Sequence, residues 1–289
     1  MGEGLIPSLC PVRIFIVRHG ETAWNAAGKL QGQLDVPLNA HGAAQAQAVG
    51  AFFRARLQCP SAPAPPIISS DLLRARQTAE AVCSAIGQPL ERITLEPRLR
   101  EVHFGAWQGS SWDELAALHP REVDKWKRGE DPDWFIPGGG ESVRARFYRV
   151  ARGLTEHALL ACCAGTKEIV LVSHGGAMDD MGRLATSTAF GVGTGLTKRN
   201  CCISQLEFTP SACALGPTAT LSCVSQFVAA SPAFSNPENI VPASASTALG
   251  RWVLRDWGGT AHLQGLDAAL ADPGADYSLA KRSALTCEL

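Results

Sequence analysis

Two stretches of this chain, Ile14-Phe15-Ile16-Val17 and Ile169-Val170-Leu171-Val172, are apolar at every position. A strand with one wet face alternates apolar and polar residues, so a run without alternation fits a strand covered on both faces, the condition of a parallel sheet between helices. Each run breaks into the same kind of turn, Arg18-His19-Gly20 after the first and His174-Gly175-Gly176 after Ser173 in the second. The carboxyl ends of such strands are where α/β folds bind ligands. Either histidine alone is well accounted for as a turn or core residue. Two of them, each released into a glycine turn at a strand end, point to one site assembled from distant parts of the chain.

The remaining pattern alternates in kind. An Ala-rich helix is predicted from about His41 to Leu57, a Pro/Ala/Ser loop over 59–66, a short strand over 67–70, and a helix from Asp71 to Ile86 with Asp71 as its cap. Between 100 and 140 the helical signals shorten and Trp107, Trp112, Trp126 and Trp134 appear, as expected of an inserted cap. These rings could form a substrate platform, although aromatic residues serve more often as core. A helix from about Phe147 to Cys163 precedes the second apolar run, and a strand follows over 202–208. The expected fold class is α/β, a three-layer α/β/α domain over 1–270. Its mainly parallel sheet carries helices on both faces and a small cap at about 101–140. The Ser/Ala/Pro-rich segment 209–248 reads as a surface insertion, and 271–289 as a loose C-terminal tail.

Composition narrows the partners. Lys and Arg total 26 against 27 Asp and Glu, a net charge of -1, so no global field recruits nucleic acid or an anionic membrane, and any anion recognition must be local. The 10 cysteines include no C-x-x-C, and Cys162-Cys163 and Cys201-Cys202 are adjacent pairs poorly placed to bridge each other; reduced thiols and a cytoplasmic setting are expected. No secretory leader, membrane span or lipidation motif is evident. Gly191-Val192-Gly193-Thr194-Gly195 fits neither phosphate-loop spacing nor dinucleotide spacing, and H-E-x-x-H is absent, though His19, His103 and His174 could in principle converge. No cofactor and no metal are expected, and the oligomeric state is open.

The chemistry comes from the company the histidines keep. Arg18 precedes the first, and Arg74 falls in the first turn of the helix predicted after the short strand. Guanidinium groups and helix N-termini both recognise phosphate oxygens. Nearby positive charge also favours a neutral imidazole, which can attack phosphorus as a nucleophile. The leaving alkoxide then needs a proton, and Glu101, at the mouth of the insert, is placed to supply one. Taken singly, Arg74 reads better as a surface salt bridge, and Glu101 equally as a solvated acid.

Five blocks together carry a more specific signal. They are Arg18-His19-Gly20-Glu21-Thr22 with Trp24-Asn25, and Ser70-Asp71-Leu72-Leu73-Arg74-Ala75 with Gln77-Thr78-Ala79. Glu101 with Phe104-Gly105 and Trp107, Pro137-Gly138-Gly139-Gly140-Glu141-Ser142, and Ser173-His174-Gly175-Gly176 complete the set. In this order the chain resembles the histidine phosphatase superfamily, also called phosphoglycerate mutase-like, over roughly residues 12–208. Trp257 to Leu263 is similar to a weaker late block. The resemblance implies His19 as the phosphorylated nucleophile, Glu101 as proton donor and then base, and Arg18, Arg74 and His174 as phosphate ligands. Asn25, Gln31, Gly32 and Gly175 would line the same pocket. The short interval between Glu101 and His174 is similar to the compact phosphatase branch rather than the cofactor-dependent mutases. A metal-independent phosphomonoesterase acting on a small phosphorylated metabolite is therefore expected, with a mutase or a non-catalytic phosphate-binding scaffold as alternatives. Many relatives carry arginine where this chain has Asp179; facing the pocket, Asp179 would repel a second anionic group on the substrate.

Overall fold

A computed structural model describes residues 10–57, 63–129, 131–211, 224–231, 234, 236–240, 242 and 249–264. Strand β1 (Val12–Arg18) leads through the single turn α1 (Ala23–Ala26) to α2 (Ala40–Arg56), β2 (Ile67–Ser69) and α3 (Leu73–Ala85). The two-residue β3 (Thr94–Leu95) precedes the cap helices α4 (Trp112–Leu118) and α5 (Pro120–Arg128). Then come α6 (Val143–Cys163), β4 (Glu168–Ser173), α7 (Gly175–Thr186), β5 (Ile203–Pro210), α8 (Val224–Ala230) and β6 (Gly250–Gly259).

The six strands form one sheet in the order β3-β2-β4-β1-β5-β6. Pairs β2/β3, β2/β4 and β1/β4 are parallel, while β5 runs antiparallel to β1 and to β6, so the sheet is mixed with β5 alone reversed. The unbroken apolar runs follow from burial on both faces. Ile14 and Ile16 of β1, with Ile169 and Leu171 of β4, point into a core shared with α6, α7 and α8. Phe15, Val17, Val170 and Val172 point the other way, into a core shared with α2 and α3.

Register explains why the histidines meet. Strands β1 and β4 pair Arg18 with Ser173, so His19 and His174 leave the sheet side by side, and the His19 amide donates to the Ser173 carbonyl at 3.0 Å. On the far side of β4, β2 pairs Ser69 with Val172, so Ser70 emerges next to His174. Three neighbouring strand ends thus deliver Ser70, His174 and His19 to one edge.

The predicted cap of α3 needs correction. The helix begins at Leu73, Leu72 occupies the cap position without a side-chain bond, and the Leu73 amide instead donates to Asp35 Oδ1 at 2.8 Å. Asp71 turns away to pair with Arg100. Helix α6 starts earlier than predicted, at Val143, where Ser142 Oγ accepts from the Ala145 amide. Within the cap, Val102, Phe104, Trp107, Leu115, Val123 and Ile136 form a small core together with Leu30 from the loop after α1, with Trp112, Trp126 and Trp134 packed against it. The four tryptophans therefore hold the cap together. Segment 209–248 is described in part; its Val224, Val228, Phe234 and Ile240 are buried against the α6 face. The tail expected at 271–289 lies outside the described residues.

Candidate active site

His19 and His174 are 2% and 0% exposed, with ring centroids 5.1 Å apart and planes tilted by 53°. The Nδ1 of His19 lies 2.7 Å from the Gly20 carbonyl. A carbonyl only accepts, so Nδ1 carries the proton and Nε2 keeps its lone pair. Burial first, then the charges of Arg74 and Arg18, hold the His19 imidazole well below its ordinary pKa. His174 is held down likewise, by burial and then by Arg74. Both rings are neutral near pH 7, which a nitrogen nucleophile requires.

The turn that carries His19 is fixed from several sides. The Gly20 amide donates to Thr78 Oγ1 of α3 at 3.0 Å, and Asn200 Nδ2 donates to the His19 carbonyl at 2.9 Å. A Cβ on Gly20 would sit 2.4 Å from the Gly42 carbonyl oxygen, so the turn lies against the first turn of α2 only as glycine. His174 is steered by Ser70, whose Oγ lies 2.8 Å from Nε2.

Arg74 is 1% exposed, and its guanidinium donates to the carbonyls of Gly32 at 2.7 Å and Leu34 at 2.9 Å. Burial lowers its pKa to about 10, so it stays charged at neutral pH. Gly32 adopts φ 54°, and this left-handed turn aims its carbonyl at Arg74. Arg18 is oriented by a bond from Nη1 to the Lys198 carbonyl. Among the described residues, Arg74 Nε and His174 Nδ1 are buried without a hydrogen-bond partner. Burying one unpaired polar group costs about 1–3 kcal/mol, which a bound phosphate oxygen would offset.

Glu101 faces this group. Its Oε1 accepts from the amides of Val102 at 2.8 Å and Gly176 at 3.0 Å, while among the described residues Oε2 has only the longer 3.2 Å contact to Gly176. That leaves Oε2 as the oxygen with room for a proton. A Cβ built on Gly175 would lie 3.9 Å from this oxygen and 3.7 Å from Arg18 Nε, so acid, guanidinium and the start of α7 converge there.

Not every expected residue lines the site in the expected way. The Asn25 Oδ1 accepts from the Thr22 amide and closes the capping box of α1, 3.4 Å from Asn200 Nδ2. Gln31 is buried, and its Oε1 has no partner among the described residues. His103 is used locally, its Nδ1 accepting from the Gly105 amide. Asp179 is engaged by Lys198 Nζ and Thr194 Oγ1, and so ties down the glycine-rich segment. Its charge is matched by Lys198 at this rim. Asp180 is buried in a two-point pair with Arg146 on α6, at 2.5 and 3.1 Å, which keeps Arg146 firmly charged. Ser70, Asn200 and Asp35 escaped the sequence reading as functional residues. Ser70 stood inside a recognised block, whereas Asn200 and Asp35 act across long sequence distances and left no local signal.

The profile of the histidine phosphatase superfamily (branch 1) matches residues 14–216, and the chain belongs to that superfamily. Among its relatives is a probable phosphoglycerate mutase, GpmB, of Salmonella paratyphi C, 38% identical over 211 residues that cover 69% of this chain and 86% of the relative. Among solved structures, the native mycobacterial glucosyl-3-phosphoglycerate phosphatase matches with a TM-score of 0.62 at 26% identity, covering 87% of this chain and all of that one. A second mycobacterial hydrolase matches with a TM-score of 0.64 at 26% identity, over 86% of this chain and 91% of its own.

Proposed function

We propose that the protein is a metal-independent phosphomonoesterase that hydrolyses a small phosphorylated metabolite through a phosphohistidine. The observation that carries this reading is the pair of buried neutral imidazoles 5.1 Å apart, flanked by the Arg74 and Arg18 guanidiniums. The phosphoryl group of the substrate sits between the rings, its oxygens taken by Arg18, Arg74 and His174. Asn25, Gln31, Gly32 and Gly175 border the same pocket. His19 Nε2 attacks phosphorus in line, the P–N bond forms, and the P–O bond to the alcohol breaks. The alkoxide takes a proton from Glu101 Oε2 and leaves as the alcohol. Water, giving its proton back to Glu101, then attacks phosphorus and releases inorganic phosphate from His19. The arginines neutralise the equatorial charge, a task metal ions perform in other phosphoryl-transfer enzymes.

The test is phosphate release from a panel of small phosphate esters in the presence of a chelator, with His19→Ala in parallel. Release that survives chelation and vanishes in the variant supports the reading; release persisting in the variant overturns it. The likeness to the probable mutases supports a second reading, transfer of the phosphoryl group to another hydroxyl of a phosphoglycerate. It requires stimulation of isomerisation by a bisphosphoglycerate primer, and absence of stimulation removes it. A cytoplasmic site of action fits the free thiols of Cys10, Cys83, Cys162, Cys163, Cys201 and Cys202.

A further inference from the structure

Arg149, on α6, spends three of its donors on the strip of chain that carries Glu101 and two on Glu141. Its Nη1 donates to the carbonyls of Arg98 at 2.9 Å and Arg100 at 2.7 Å. Its Nη2 donates to the Glu101 carbonyl at 2.7 Å and to Glu141 Oε2 at 2.8 Å, and Nε donates to Glu141 Oε1 at 2.5 Å. A guanidinium has five N–H donors, and all five are used. Glu141 extends the grip, because its Oε2 also accepts from the His103 amide at 2.9 Å and its own amide donates to the His103 carbonyl at 2.8 Å. The Arg149–Glu141 unit thus holds residues 98–103 on both sides of Glu101, supported by Gln33 Nε2 donating to the Glu101 carbonyl at 3.1 Å and Ser173 Oγ donating to the Leu99 carbonyl at 2.8 Å. Arg100 contributes less directly; its guanidinium pairs with Asp71 and makes a long 3.4 Å bond to Gln33 Oε1.

We infer that Arg149 is a positioning residue for Glu101. The hydrogen bonds of the Arg149 guanidinium go to the chain around Glu101 and to Glu141. Its charge also adds to burial and Arg74 in holding the His174 imidazole down. On the acid it acts by fixing the main chain from which Glu101 projects, with Glu141 as its anchor. The inference rests on the proposed role of Glu101 as proton donor. It also assigns the triple-glycine turn before Glu141 a purpose, since that turn delivers the anchoring carboxylate from the cap to α6.

Leaving groups provide a readout that a merely structural role would not move. A nitrophenolate departs with little help from an acid, whereas an alkoxide needs the proton. Arg149→Met and Arg149→Lys should each lose on the order of 10²-fold in kcat/KM on an alkyl ester such as glycerol phosphate, because kcat/KM ends at transfer to His19, before the water attack that all esters share. They should lose far less kcat/KM on p-nitrophenyl phosphate, with the same selectivity as Glu101→Gln. Lysine should not rescue, because three donors on a single nitrogen cannot span three carbonyls and a carboxylate. Combining Arg149→Met with Glu101→Gln should add nothing further. Should Arg149→Met fail to fold in a thermal-melting check, Glu141→Gln carries the same prediction with a smaller loss. Equal losses on both esters in the Arg149 and Glu141 variants, beside a selective loss in Glu101→Gln, overturn the inference alone. No selectivity in Glu101→Gln overturns the acid role, and the inference with it.

Discussion

Alanine at position 176 isolates the geometry of the acid from the stability of the fold. A Cβ there would lie 2.3 Å from Glu101 Oε1 and 2.8 Å from Val102 Cγ2, whereas ordinary contact begins at 3.4 Å. The carboxylate must therefore retreat by about 1.1 Å (3.4 − 2.3). Misplacing a reacting group by about 1 Å costs on the order of 10²-fold in rate, or about 2.7 kcal/mol of transition-state stabilisation. The fold is affected less. Alanine is favoured over glycine by up to about 1 kcal/mol inside a helix, and crowding costs about 1–3 kcal/mol, so the two partly cancel. A net loss of about 1 kcal/mol lowers the melting temperature by only about 2–4 °C in a domain of this size. The assay is kcat on an alkyl phosphate, with thermal unfolding of the same preparation. A kcat within about threefold of the parent, less than 1 kcal/mol, would refute the placement of Glu101 against α7.

Four further outcomes follow from the same structure. Because His19 is held neutral by burial, Arg74 and Arg18, kcat/KM should stay flat as pH falls through about 6.5, where an ordinary imidazole protonates, and Arg74→Gln should move the acidic limb upward. The folded pKa of each buried histidine is depressed, so the unfolded chain binds protons first. Stability measured by chemical denaturation should then fall as pH drops below about 6.5, by up to about 1.4 kcal/mol per pH unit for each histidine. Asp35→Ala removes the acceptor for the Leu73 amide and should cost about 1 kcal/mol of stability, read in a denaturant melt. Asp180→Ala leaves the Arg146 charge enclosed without its partner and should cost about 3–5 kcal/mol in the same assay.

How much of this was legible depended on how far each cause lies from its effect along the chain. Strands β1 and β4 were readable because burial on both faces writes itself into consecutive residues, and their ends named His19 and His174. The register that sets Arg18 beside Ser173 is a property of the sheet, and no local pattern reports it. Asp71 looked like a cap because caps are usually local, but Arg100 captured it, and Asp35 caps α3 from an earlier loop. The first turn of α6 lay outside the helix expected from about Phe147, where polar Arg144 and Arg146 interrupt the apolar pattern; in the fold Arg146 is buried, matched by Asp180 from α7. Strand β6 was missed for a related reason. Its residues are mostly half-buried or exposed at the sheet edge, so it carries neither an apolar run nor a clean alternation. The Ser/Ala/Pro-rich composition around α8 concealed Val224 and Val228, which share one helix face at i,i+4 but form too short a pattern to stand out in a seven-residue helix.

The most direct test of the account is chemical. Rapid acid-free quenching during turnover of a 32P-labelled ester should trap label on the protein as an acid-labile, base-stable phosphoramidate, and peptide mapping should place it on His19. Label on another residue, or full turnover by His19→Ala, would contradict a mechanism built on the His19 imidazole.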